Sequence, residues 1–130
     1  AKMVYPDRNV VAVCGDGGFM MNSQEIETAV RLNLNIVVII ISDNAFGMIK
    51  WKQSGMGFEN FGMDMNNPDF VKLAEAYGAR GWRPNSTAEF QSMLKQALLE
   101  PGVDIIELAI DYSENHAILN KEIKELSAAL

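Results

Sequence analysis

The stretch Ile36-Val37-Val38-Ile39-Ile40-Ile41 is apolar and β-branched at every position. Such side chains favour extended backbone, and the run is far too short to span a bilayer. Alternate side chains of a strand point to opposite faces, so a strand that is apolar throughout has to be covered on both. Helices packed on the two faces of a parallel sheet are the usual solution. Val10-Val11-Ala12-Val13-Cys14 has the same character and reads as a second buried strand, and Val103 to Ile110 reads as the last one.

Helical signals alternate with these runs. Asn22-Ser23-Gln24-Glu25 has the form of a capping box, and Ile26, Ala29, Val30 and Leu34 give the helix after it one apolar face. Gly47 to Lys52 continues as a short helix, and Gln53 to Asn66 reads as a long loop. Asn67-Pro68-Asp69 opens another helix, with Asn67 as N-cap, Pro68 at the first helical position and Gly78 as the stop after Tyr77. A short strand over Ala79 to Arg83 precedes a second capping box, Ser86-Thr87-Ala88-Glu89, whose helix ends at Pro101-Gly102. The tail from Lys121 reads as helical. The alternation predicts an α/β fold: a doubly wound, mostly parallel sheet with helices on both faces, its ligands beyond the carboxyl ends of the strands.

The chain has 130 residues, the size of one domain, and a formal net charge of -6. That charge offers no basic stripe for nucleic acid, and no segment reads as a membrane span or a signal peptide. With a single cysteine, Cys14, there is no internal disulfide framework, and a reducing cytoplasm is the default compartment. The chain begins at Ala1 with no initiator methionine and reaches a strand by Val10, so it reads as a segment of something longer.

Two strand ends carry chemistry. The first strand runs into Gly15-Asp16-Gly17-Gly18 and the second into Asp43-Asn44-Ala45-Phe46-Gly47. Each puts a carboxylate or amide among residues that let the backbone turn and approach a ligand closely. A magnesium ion takes six oxygens and usually keeps water and substrate phosphates among them. Asp16 offers an anionic oxygen, Asn44 an amide oxygen and Phe46 a backbone carbonyl. Two phosphate oxygens and a water would complete the set. The helix opening near Ser23 would add the positive end of its dipole. Gly15-Asp16-Gly17 alone is weak evidence, since such tripeptides are common in ordinary turns; the pairing of the two loops is the stronger signal.

Gly15-Asp16-Gly17, followed after residues 18 to 43 by Asn44, resembles the signature of the thiamine-diphosphate-dependent enzymes, in which Gly-Asp-Gly is followed at similar spacing by Asn-Asn. Phe19-Met20-Met21, Gln24-Glu25-Ile26, Thr28-Ala29, Gly47-Met48-Ile49-Lys50-Trp51, Asp69-Phe70 and Ala74 to Gly78 are similar to acetolactate synthases, and Asp111-Tyr112-Ser113-Glu114-Asn115 to the catabolic branch. The resemblance covers nearly the whole chain and only the diphosphate-binding, C-terminal domain of the family's enzymes. It implies a thiamine-diphosphate-binding fold over residues 1–130 as a piece of a longer multidomain enzyme.

By the same resemblance the cofactors are thiamine diphosphate and Mg2+. Asp16, Asn44 and the Phe46 carbonyl become the metal ligands, and Gly15, Gly17, Gly18, Gly47 and Met48 lie along the cofactor. Met48 and Trp51 face the thiazolium or the substrate. Asp43 departs from the usual first asparagine of the pair. The implied reaction decarboxylates pyruvate and joins the product to a second 2-oxoacid. The activating glutamate of the family belongs to a separate pyrimidine-binding domain, on the same or a partner chain, so no catalytic acid or base is expected here. The intact enzyme is expected to be a homodimer or homotetramer, and this piece to be inactive alone. Two other readings remain: the same domain of a 2-oxoacid decarboxylase or multi-chain oxidoreductase, and a non-catalytic flavodoxin-like nucleotide or signalling module. The Gly-Lys-Ser or Gly-Lys-Thr of a nucleotide P-loop is absent.

The remaining residues have bland readings. Cys14 is a small core residue, His116 a solvated loop residue, Glu25 and Glu27 first-turn helix charges, and Trp82 a residue packed on the sheet. Lys121, Glu122, Lys124 and Glu125 form a solvated helix face. The Met and Phe residues between Met56 and Met65 form either a substrate lid or an interface.

Overall fold

A computed structural model describes residues 1–112, 114, 118 and 123–128. His116, with Ser113, Asn115, Lys121 and Glu122, lies outside the described residues. The elements are β1 (Val11–Gly15), α1 (Asp16–Met21), α2 (Glu25–Arg31), β2 (Ile36–Ser42), α3 (Gly47–Gly55), α4 (Phe70–Ala76), β3 (Arg80–Trp82), α5 (Thr87–Leu99), β4 (Val103–Ala109) and α6 (Ile123–Ala128). The strands form one parallel sheet in the order β1-β2-β4-β3. Among the described residues no helix is long and apolar enough to cross a membrane.

This order places the helices. From β1 to β2 the chain steps across the sheet in one direction, and α1 and α2 cover one face. From β3 to β4 it steps back, so a crossover of the same hand puts α5 on the other face. The core divides accordingly. Val38, Ile40, Val103 and Ile105 meet Phe19, Ile26, Ala29, Phe70 and Ala74 on the first face. Val37, Ile39 and Ile106 meet Ala97, with Phe90, Leu94, Leu98 and Trp82, on the second. The odd–even split of β2 between the two clusters is the strand period itself, and it confirms the reading of that run as covered on both sides.

β1 is less covered than its composition predicts. It is an edge strand, and its register sets Val11 and Val13 beside Val37 and Ile39, on the α5 face. That helix packs on β2 and β4, so Val11 and Val13 remain 42% and 65% exposed. Cys14 lies on the other face against the first cluster, where its thiol donates to the Ile39 carbonyl at 3.8 Å. Burial pushes that thiol above its ordinary range, as befits a core residue.

Local signals behaved unevenly. Ser86 caps α5 as expected, its Oγ accepting from Glu89 N–H at 3.2 Å. Gly78, at φ +81°, ends α4, a left-handed position that glycine fills without strain. The cap of α4, however, is Asp69 and not Asn67: the Asp69 side chain accepts from Val71 N–H and Lys72 N–H, and the helix begins at Phe70. The Asn22–Glu25 box does not form, since α2 starts from Gln24 with no side-chain cap.

The end of the sheet away from β1 holds an ion pair that the sequence pattern did not announce. Asp104, in β4, is fully buried. It accepts from Arg80 Nε and Nη2 at 2.8 and 2.7 Å and from Trp82 Nε1 at 2.7 Å. Arg80 also donates to the Pro101 carbonyl at 2.8 Å. A buried carboxylate stripped of its partner is costly, so Arg80→Met should lower unfolding stability by about 3 kcal/mol, the low end for such a pair because Arg80 is partly exposed. Urea unfolding of the purified protein measures it.

Candidate functional site

The β1–β2 register sets Gly15 beside Ile41, so the residues after the two strands emerge side by side. Asp16 is the first residue of α1 and is only 2% exposed. Its Oδ2 accepts from Asp43 N–H at 3.0 Å, from Asn44 N–H at 2.8 Å and from Asn67 Nδ2 at 2.5 Å. Its Oδ1 accepts from Gly17 N–H at 2.8 Å. Hydrogen bonds to a charged acceptor offset the desolvation of a carboxylate, and here the same bonds fasten one loop to the other.

The glycines act by what they lack. None of Gly15, Gly17 and Gly18 has a positive φ, and Gly17 and Gly18 lie in the first turn of α1 instead of in an extended loop. A Cβ on Gly17 would sit 2.8 Å from the Phe46 ring, whereas at Gly15 and Gly18 it would meet nothing within 4 Å. The space above Gly15 and Gly18 is therefore open to a ligand, and Gly17 lets Phe46 close against the loop. The helix start next to the site is that of α1, not the one expected near Ser23.

In the second loop Asp43 makes an Asx turn, its Oδ1 accepting from Ala45 N–H at 3.0 Å. Asn44 follows at φ +56°, a conformation asparagine tolerates better than most residues. The loop is braced from outside by residues 63–65: Phe46 N–H donates to the Met63 carbonyl at 2.9 Å and Met65 N–H to the Asn44 carbonyl at 2.7 Å. Lys50 and Asn60 hold Asp64 between them at 2.6 and 2.7 Å. The rest of this segment leaves Met56, Phe58 and Phe61 exposed.

Gly15, Asp16, Gly17, Gly18, Phe46, Gly47 and Met48 all line one cavity of about 440 Å³, shared with Asp43 and Tyr112. Two expected members are placed elsewhere. Asn44 lines a neighbouring cleft of about 620 Å³ with Ser42, Arg83 and Glu107. Trp51 lies half-buried further along α3 and does not line the cavity. The Phe46 carbonyl is also engaged, accepting from Ile49 N–H at 2.9 Å and Lys50 N–H at 3.0 Å as α3 begins. Among the described residues the Ala45 carbonyl carries no such donor.

Asp43 and Tyr112 line the cavity together, a contact that the sequence pattern does not announce. Tyr112 donates its hydroxyl to Asp43 Oδ2 at 2.8 Å. A Cβ on Gly47 would stand 1.9 Å from that oxygen and 2.7 Å from the Tyr112 hydroxyl, so glycine is what permits this contact. The signal available in the sequence was the pairing of an acid at the strand end with a glycine four residues on.

The donor set suits a divalent cation with a diphosphate. Two carboxylates and a backbone carbonyl are the hard oxygens magnesium prefers, the glycine surface admits phosphate oxygens, and among the described residues no lysine or arginine lines the cavity. Asn67 does not line the cavity, and its buried Oδ1 has no hydrogen-bond partner among the described residues.

Desolvation, then the hydrogen bond to Asp43 and the charges of Asp43 and Asp16, push the Tyr112 hydroxyl from 10 up to about 12. The neutral phenol is the bonded form. Its contribution to stability is therefore complete below the ordinary tyrosine range and is lost as pH rises through about 12. Gly47→Ala should break the contact and move the Tyr112 titration back toward 10, read by ultraviolet difference titration of the phenolate against a Tyr112→Phe control.

Comparison with known proteins bears on the family and the fold. The family described as "Thiamine pyrophosphate enzyme, C-terminal TPP binding domain" matches residues 1–108. An acetolactate synthase of Bacillus subtilis (strain 168) is 38% identical over 97% of this chain and 23% of its own length. The catabolic acetolactate synthase of Raoultella terrigena is 36% identical over 93% of this chain and 22% of its own. Among solved structures, the thiamine diphosphate-dependent 4-hydroxybenzoylformate decarboxylase of Rhodococcus jostii RHA1 superposes with a TM-score of 0.81 at 29% identity, covering 88% of this chain and 22% of that one. The chain thus spans less than a quarter of the length of these relatives. Its sequence, its doubly wound sheet and its glycine–aspartate loop make it a member of the thiamine pyrophosphate enzyme family, as the C-terminal TPP-binding domain.

Proposed function

We propose that residues 1–130 are the diphosphate- and magnesium-holding domain of a longer acetolactate synthase-like enzyme, which decarboxylates pyruvate and joins the product to a second 2-oxoacid. The observation that carries this reading is the buried Asp16 carboxylate binding the 43–44 turn, because it joins two strand ends into the wall of one cavity. Similarity to acetolactate synthases from several organisms supports the carboligase assignment. Similarity to a benzoylformate-type decarboxylase supports a second reading, the same domain in a 2-oxoacid decarboxylase.

Within the cavity, Asp16 and the turn from Asp43 to Phe46 hold the cation. The position of Asn44 in the neighbouring cleft and the engaged Phe46 carbonyl favour Asp43 and the Ala45 carbonyl as the partners of Asp16, one residue earlier than the sequence spacing implies. Gly15, Gly17, Gly18 and Gly47 lie along the diphosphate, and Met48 borders the reactive end. Two acids, with no lysine or arginine among the described lining residues, repel a bare diphosphate. The cation is thus a condition of cofactor binding and not an accessory to it. When bound, thiamine diphosphate supplies the electron sink for loss of carbon dioxide from a 2-oxoacid. This chain's own residues anchor and neutralise. The pyrimidine-binding domain, and with it the activating glutamate, is contributed by another part of the enzyme or by a partner subunit, in a dimer or tetramer.

In the full-length enzyme, thiamine diphosphate binding followed by fluorescence quenching should require Mg2+ and disappear in Asp16→Ala. Asp43→Ala should weaken it by at least about tenfold, the loss of a ligand oxygen, and by more than Asn44→Ala does. A larger effect at Asn44 would return that side chain to the ligand set. Binding untouched by all three substitutions would remove the assignment.

A further inference from the structure

Asn67 is 51 positions from Asp16 in sequence and reads as a helix cap, yet the structure gives the cap to Asp69 and turns Asn67 onto the buried carboxylate. Its Nδ2 donates to Asp16 Oδ2 at 2.5 Å and reaches Ser42 Oγ at 3.4 Å. Pro68 restricts the residue before it to extended backbone, which limits the conformations from which the amide can leave this position. With the Asp43 and Asn44 amides, Asn67 completes three donors on one oxygen. A carboxylate oxygen holding three donors has no lone pair to offer a metal, whereas Oδ1 carries one local bond from Gly17 and keeps capacity.

We propose that Asn67 is a positioning residue for the cation. It locks the carboxylate of Asp16 so that Oδ2 serves the loops and Oδ1 serves the metal, and it acts through its N–H and not through packing. Outer-sphere donors of this kind orient a metal ligand and hold its charge in place. The Asp43 and Asn44 donors belong to the loop that Asp16 itself fastens. Asn67 comes from the segment before α4, so it can define the rotamer independently of that loop. The inference rests on the magnesium–diphosphate reading of the cavity and adds to it a residue from a third segment of the chain.

The test uses the full-length enzyme stripped of metal and cofactor, with Mg2+ titrated at saturating thiamine diphosphate and the thermal midpoint of the apoprotein measured in parallel. Asn67→Leu, which keeps the volume and removes the donor, should raise the Mg2+ dissociation constant by about 10–100-fold. Asn67→His, which keeps a ring N–H near the position of the amide nitrogen, should recover most of the loss. The apoprotein midpoints of the two variants should stay close together. Asn67→Ala carries the same comparison if the leucine variant does not fold. An unchanged Mg2+ constant in the donor-less variant, or equal losses in Leu and His, overturns the proposal. Failure of the unsubstituted enzyme to show Mg2+-dependent cofactor binding overturns the underlying reading, and this inference with it.

Discussion

One buried carboxylate organises the functional end of this domain. Asp16 sits where β1 passes directly into α1, and its oxygens gather amide donors from its own turn, from the end of β2 and from the segment before α4. Leaving such a group buried and unbonded would cost several kcal/mol, so the loops are held to it by the penalty of letting go as much as by the bonds themselves. Parallel pairing of β1 with β2 is what brings the partners within reach, because it sets Gly15 level with Ile41.

The strand ends supply the space. α1, α2 and α4 lie on one face and α5 on the other, and the cleft lined by Asn44, Arg83 and Glu107 opens against α5, where the winding reverses, while the Asp16 cavity lies beside it among the residues that follow β1, β2 and β4. Charge is distributed to match. Asp104, near the opposite end of β4, is matched by Arg80 and Trp82 and is a structural element. The cavity holds Asp16 and Asp43 with no lysine or arginine on its walls among the described residues. Acids neutralised at one end and left without a base among the described residues at the other are the electrostatic difference between a brace and the cation site proposed for the cavity.

The fold was readable because its signals are local and periodic. The apolar runs, the Ser86 cap and the Gly78 stop each depend on a few neighbouring residues, and each is found where expected. The exposure of β1 was not readable, since composition states that a strand is apolar but not whether a helix reaches it. Asn67 shows the same limit. Its place before Pro68 and Asp69 suits a cap, yet a buried charge from a distant segment gains more from its amide than a helix start already served by Asp69.

The sequence by itself determined that the chain is a parallel α/β domain with a glycine–aspartate loop and a second polar loop after an adjacent strand. Hydrophobic period and turn chemistry are written in consecutive residues, and they suffice for that much. Only the tertiary structure decided which side chains of the second loop face the cavity. The Asx turn of Asp43, the left-handed Asn44 and the brace from residues 63–65 send neighbouring side chains to opposite sides. A shift of one residue there exchanges a carboxylate for an amide. No spacing rule resolves that choice, because it is set by hydrogen bonds from segments far apart in the chain.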